Sequence, residues 1–159
     1  MAFERDLKFI IFAQARTGST TLQQLLSVHP KLKCCHEPFN PGKAGISLDR
    51  KYLNSSELQD LESKQTRKGW HWTANYPISV LQKVLEDIRQ NSNVIKHLDN
   101  FLPSEMNRYL LLNCGYKVVF LYRKNILKQG ISRFISKTSQ VWGTDKEKVK
   151  ATSYHLVDN

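Results

Sequence analysis

Apolar and polar positions along the chain fall into two alternating kinds of run. The first, Leu7-Lys8-Phe9-Ile10-Ile11-Phe12-Ala13, is short and almost continuously apolar, the pattern of a buried strand. A polar turn follows, Gln14-Ala15-Arg16-Thr17-Gly18-Ser19-Thr20, and then an amphipathic segment, Thr21 to Ser27, which predicts a helix opening on consecutive hydroxyl residues. His29-Pro30 stops that helix, because proline cannot continue it. Lys31 to Cys35 suggests a short second strand. It leads into His36-Glu37-Pro38-Phe39-Asn40-Pro41-Gly42, where two prolines and a glycine predict a fixed, irregular loop. Lys43 to Tyr52 shows no period and reads as surface loop.

Further along, Ser56-Glu57-Leu58-Gln59 has the spacing of a capping box for a helix ending near Ser63. Trp70, His71 and Trp72 stand in polar surroundings between Gln65 and Tyr76. Pro77 suits a first helical turn, and Ile78, Leu81, Val84, Leu85 and Ile88 mark one apolar face of a helix over Pro77 to Gln90. Asn93 to Leu98 reads as a strand. Pro103-Ser104-Glu105 opens a helix that Gly115 closes. Lys117-Val118-Val119-Phe120-Leu121-Tyr122 is the clearest strand after the first, and Asn125 to Lys137 a helix with Ile126, Leu127, Ile131, Phe134 and Ile135 on or near one face. From Thr138 the chain is polar, basic and weakly patterned.

Strands alternating with helices predict an α/β protein in three layers, α/β/α, with a mainly parallel sheet covered on both faces. With 159 residues, a single domain over 1–159 is expected. Ligands of such sheets bind where the strands end. Both strong strands end in a basic residue followed by a helix: Arg16 after the first, Arg123-Lys124 after the last. Two cationic strand ends at one sheet edge suit a ligand carrying anions at two separate places. The first of them also lies at a helix N-terminus, whose N–H groups and dipole favour an anion, and Arg16 can fork onto phosphate or sulfate oxygens.

Composition narrows this less than pattern does. Hydrophobic content of 40% and charged content of 24% are ordinary for a soluble globular protein. The net charge of +10 favours anionic partners without choosing among nucleotide, nucleic acid, acidic glycan or membrane surface. Cys34, Cys35 and Cys114 have neither metal-binding nor Cys-x-x-Cys spacing and read as small hydrophobes. The apolar run near the N-terminus is too short for a signal or a membrane helix, so a cytoplasmic protein with no membrane span is expected.

Three of these segments together resemble the sulfotransferase family, of the bacterial carbohydrate and glycolipid type. Arg16-Thr17-Gly18-Ser19-Thr20 matches the family's 5′-phosphosulfate loop (basic, Ser/Thr, Gly, Ser/Thr, Thr/Ser) position by position. Arg123 at a strand end and Ser132 on the following helix match its 3′-phosphate site. His36-Glu37-Pro38-Phe39 resembles the loop that places a catalytic glutamate. The resemblance spans roughly Lys8 to Phe134 and keeps the order of the motifs. It implies a P-loop-like sulfotransferase fold and the donor 3′-phosphoadenosine-5′-phosphosulfate (PAPS; product adenosine 3′,5′-bisphosphate). It also implies a hydroxyl acceptor on a sugar, glycolipid or small molecule, and no metal. Many relatives space the arginine and serine one residue closer, so Lys124 is the alternative to Arg123. Relatives also continue further, with a late Arg-Lys-Gly loop over the adenine. Arg67-Lys68-Gly69 comes too early to take that role, and the chain reads as a short or C-terminally truncated member.

The roles implied are these. Arg16 stabilises charge on the bridging oxygen. Thr17, Gly18, Ser19 and Thr20 bind phosphate and sulfate oxygens, the plain alternative being ordinary helix capping. Glu37 is the general base, with His36 its rival and a loop carboxylate paired with a neighbouring lysine the plain alternative. Lys96 and His97, at the end of the middle strand, reach the acceptor or the sulfate in transfer, or else are a partly exposed strand end. Trp70, Trp72 and Trp142 stack on sugars or pack edges. Lys146 to Lys150 read as a solvated helix face. A P-loop kinase would need G-x-x-x-x-G-K-[ST], and this loop has one glycine and no lysine. Transfer of sulfuryl, which carries less charge than phosphoryl, has less need of a metal. A non-catalytic nucleotide or nucleic-acid binder is the remaining alternative, and nucleic acid is not the expected partner.

Overall fold

A computed structural model of the chain describes residues 7–40, 51–63 and 78–139. Its elements run β1 (Phe9–Ala13), α1 (Ser19–Ser27), β2 (Cys34–His36), α2 (Ser55–Ser63), α3 (Ile78–Asn91), β3 (Val94–Leu98), α4 (Ser104–Asn113), β4 (Lys117–Leu121) and α5 (Ile126–Ser139). Trp70, His71, Trp72, Pro77, Arg67-Lys68-Gly69, Trp142, Lys146 to Lys150 and most of the Lys43–Tyr52 stretch lie outside the described residues.

The four strands form one sheet in the order β2-β3-β1-β4, and every pairing is parallel. The protein is thus a three-layer α/β fold on a parallel sheet, as the alternation of strands and helices predicts. β1 sits at the centre, and Ile10 and Ile11, on its opposite faces, are both buried. That is why its sequence is apolar without alternation. Ile10 and Ile95 pack into the main core with Val80, Leu81, Val84, Leu85 and Ile88 of α3 and Met106 and Leu110 of α4. Of the apolar stripe read from α3, Leu81, Val84, Leu85 and Ile88 are buried and Ile78 half-buried, and Val80, outside the stripe, is buried with them.

Three local details depart from the sequence reading. The capping box of α2 begins two residues earlier: Asn54 Oδ1 accepts from the Glu57 N–H at 2.9 Å while Glu57 Oε2 accepts from the Asn54 N–H at 2.7 Å. α1 starts at Ser19, with Gly18 as its N-cap and no side-chain cap. β4, nearly continuous in its hydrophobicity, is an edge strand among the described residues with Val119 and Phe120 exposed, and Ile126, Leu127, Ile131 and Phe134 of α5 are exposed as well. A continuous apolar run signals burial only where other layers cover both faces of the strand, and among the described residues β4 has a strand partner on one edge only.

Past α4, Gly115 takes a left-handed φ of +69°. Arg89 of α3 donates from Nε to the Cys114 carbonyl at 3.0 Å, covering the helix end.

Candidate functional site

β1, β3 and β4 run in the same direction and in register, so their C-terminal ends open onto one side of the molecule. A cavity of about 750 Å³ lies there, within the range of small-molecule sites. Its walls come from the loop after β1 and the first turn of α1 (Arg16, Gly18, Ser19, Thr20), the end of β2 and the loop after it (His36, Glu37, Asn40), Lys96 of β3, and Arg123, Ser132, Arg133 and Lys137.

The first wall is a strained loop held from outside. Arg16 has φ +69°, a left-handed conformation costing a non-glycine residue roughly 1–2 kcal/mol. α5 and the β4 end clamp it: Arg16 donates from Nε to Ser132 Oγ at 2.9 Å, Arg123 Nη1 donates to the Arg16 carbonyl at 3.3 Å, and Gln129 Nε2 donates to the Ala15 carbonyl at 2.9 Å. Thr17 turns its hydroxyl back onto the Gln14 carbonyl at 2.8 Å and does not line the cavity. Gly18 has φ +90°, and a Cβ there would meet nothing within 4 Å. The glycine is required by backbone conformation rather than by space. Since α1 has no side-chain cap, the first N–H groups of this helix are presented to the cavity end.

The second wall is a buried ion pair. The Glu37 N–H donates to the Lys96 carbonyl at 3.1 Å, continuing the β2–β3 pairing past His36. Glu37 then turns with φ +46°, and Phe39 drives the loop into the core. Lys96 is 1% exposed and Glu37 8%. Lys96 Nζ donates to Glu37 Oε1 in a short contact and to Thr20 Oγ1 at 2.8 Å, and Asn40 Nδ2 donates to Glu37 Oε2 at 2.7 Å. Among the described residues, Arg16 and Glu37 are the two non-glycine positions with positive φ, and both line the cavity. Such strain is retained where surrounding contacts over-determine it, commonly at functional sites.

His36 hydrogen-bonds through Nδ1 to Gln23 Oε1 of α1, and its Nε2 lies 4.0 Å from Glu37 Oε2. Its pKa is lowered, first by burial and then by the Lys96 charge, with Glu37 opposing. Around the whole cavity, Arg16, Lys96, Arg123, Arg133 and Lys137 face a single carboxylate, Glu37. The chemistry of the walls is that of an anion site with two proton acceptors, the Glu37 carboxylate and the His36 imidazole.

His97 corrects the reading of the strand end. It neighbours Lys96 in sequence but points to the other face of the sheet, since successive side chains of a strand alternate. It is fully buried beside Phe12, Phe39 and Phe101, bonded at Nε2 to Asn107 Oδ1 at 2.7 Å, and does not line the cavity. Neither Lys96 nor His97 is a partly exposed strand end. Of the two candidates after β4, Arg123 lines the cavity and Lys124 does not. Asn40, Gln129, Arg133 and Lys137 were not singled out by motif. Asn40 stands three residues after Glu37, and Gln129, Arg133 and Lys137 recur at four-residue spacing along α5, which is the signal that would have found them.

Among the described residues no helix is long and apolar enough to cross a membrane. Comparison of the chain with protein-family models, with curated proteins and with solved structures finds no match. What fold and site define is therefore a class: a parallel α/β protein with a cationic cavity at its strand ends.

Proposed function

We propose that the chain is a sulfotransferase that moves a sulfuryl group from PAPS to a hydroxyl of a carbohydrate or glycolipid acceptor. The observation that carries the reading is the meeting, in one cavity, of the Arg16–Thr20 loop, the Glu37 loop and the Arg123–Ser132 pair. The donor carries anions at two separate positions, and the cavity has cations from two separate strand ends. The loop and α1 N-terminus would hold the phosphosulfate, and Arg123 with Ser132 the 3′-phosphate.

In the transfer, the acceptor oxygen forms a bond to sulfur as the bond from sulfur to the bridging oxygen breaks. The bonding pair leaves on that oxygen, which Arg16 is placed to stabilise. The acceptor's proton passes to Glu37, which lines the cavity. His97, buried behind the sheet, has no part in this step.

Calorimetric titration with adenosine 3′,5′-bisphosphate against AMP, on wild type and Arg123→Ala, tests the reading. A charge-assisted contact of about 1.5–3 kcal/mol predicts a preference of roughly ten- to a hundredfold for the 3′-phosphorylated nucleotide, erased by the substitution. Equal affinities in the wild-type protein would refute it.

A further inference from the structure

Glu37 is placed as a base, yet the structure shows it occupied. Lys96 Nζ engages Oε1 and Asn40 engages Oε2. Held in this way, neither carboxylate oxygen stands open to the O–H of an incoming alcohol. The same ammonium touches Thr20, in the first turn of α1. It therefore stands between the carboxylate and the place where an oxyanion on the loop would sit.

We propose that Lys96 is a shared cation: an oxyanion bound at the Arg16–Thr20 loop draws it from Glu37, so that filling the donor site frees the base. The inference rests on the reading of the cavity as a phosphosulfate site and adds an order to it. Before the anion binds, Lys96 satisfies Glu37 and keeps a buried carboxylate from standing alone. Once an anion of two or more charges occupies the loop, the stronger attraction lies on the Thr20 side. Lys96 then moves by rotation about its flexible stem, with no backbone rearrangement, since Thr20 and Glu37 are both already within its reach. Asn40, an uncharged donor, stays on Oε2 and keeps the carboxylate oriented. The base is thereby exposed only when there is a sulfuryl group to receive the nucleophile.

Competition for one cation is reciprocal: whatever weakens the hold of Glu37 on Lys96 must strengthen anion binding by the same factor. The experiment is a double-mutant cycle read by calorimetry with inorganic pyrophosphate, which offers two tetrahedral anions to the loop and needs nothing else from the cavity. Glu37→Gln is expected to bind pyrophosphate about tenfold tighter than wild type, and Lys96→Met more weakly. In Lys96→Met/Glu37→Gln the gain from Glu37→Gln should vanish. A gain that persists without Lys96 would mean that Glu37 acts only by general repulsion and would overturn the proposal, as would no gain in the single variant. Where Lys96→Met alone fails to fold and leaves the cycle open, the unsubstituted protein carries the test. In the unsubstituted protein, the Cε resonance of Lys96 in a ¹³C-lysine sample should move on adding pyrophosphate, and an unmoved resonance counts against the exchange. Titration with adenosine 3′,5′-bisphosphate and AMP separates the two readings. A pyrophosphate cycle without 3′-phosphate preference keeps the shared cation and discards the donor, and a preference without the cycle does the reverse.

Discussion

His97 makes the stability of this protein depend on pH in a window that can be worked out beforehand. Asn107 fixes its protonation: Asn107 Nδ2 donates to the carbonyls of Asp99 at 2.7 Å and Leu102 at 3.0 Å, which leaves Oδ1 to accept from His97 Nε2–H. The neutral ring then carries its proton on Nε2, and Nδ1 is buried with no partner among the described residues. Protonation would place a charge and a second N–H donor among Phe12, Phe39 and Phe101. Burial accordingly lowers the pKa from 6.5 to about 4, against the smaller opposing effects of the Asn107 bond and the Glu37 charge. Above pH 6.5 the ring is neutral in folded and unfolded chains alike and pH has no effect through it. As pH falls below 6.5 the unfolded chain takes up a proton that the native protein refuses until about pH 4, so stability is lost across that interval and no further below it. At about 1.4 kcal/mol per pH unit the loss amounts to about 3 kcal/mol. Urea unfolding of wild type and His97→Gln, whose amide can still donate to Asn107, measures it at about pH 7.5, 5.5 and 4. Other carboxylates titrate in both proteins, so the difference between their pH dependences isolates His97. Wild type should lose about 3 kcal/mol more than the variant between the ends of the series. Parallel losses would mean that the folded protein accommodates the imidazolium, and would refute the account of a ring kept neutral by its surroundings.

Two further outcomes follow from the backbone. Gly115→Ala forces a side chain onto φ +69° and sets its Cβ 2.9 Å from Arg89 Nη2. The arginine tip can give way but the φ cannot, so a loss of roughly 1–2 kcal/mol is expected in urea midpoints, and an unchanged midpoint would contradict it. Asn54→Ala removes the first half of the observed capping box and should cost about 1 kcal/mol while leaving nucleotide affinity unchanged. A Ser56→Ala effect larger than that of Asn54→Ala would restore the later capping box.

β1 was legible because it is buried on both faces, and such a strand announces itself as an apolar run whatever it pairs with. The same signal overstated β4, since a run of Val118, Val119, Phe120 and Leu121 does not say whether the strand is central or at the edge. The loop of the site was legible for a different reason: Gly18 and its hydroxyl neighbours are contiguous, and a left-handed N-cap has few sequence solutions. The Lys96–Glu37 pair could not be read in this way. Its members are 59 residues apart, and they meet because β2 lies beside β3 with His36 opposite Lys96, an adjacency that neither segment encodes alone. Sequence proximity was misleading at the same spot, because Lys96 and His97 look like a polar unit at the end of one strand. The period of two sends the lysine toward α1 and the anion loop, and the histidine into the aromatic layer against α4. One step along β3 thus separates the residue whose charge the cavity uses from the residue whose neutrality the core requires. Moving the register by a single residue would bury an ammonium among phenylalanines and leave Glu37 without its cation. The cost of that slip fixes the register of the strand and, with it, the site.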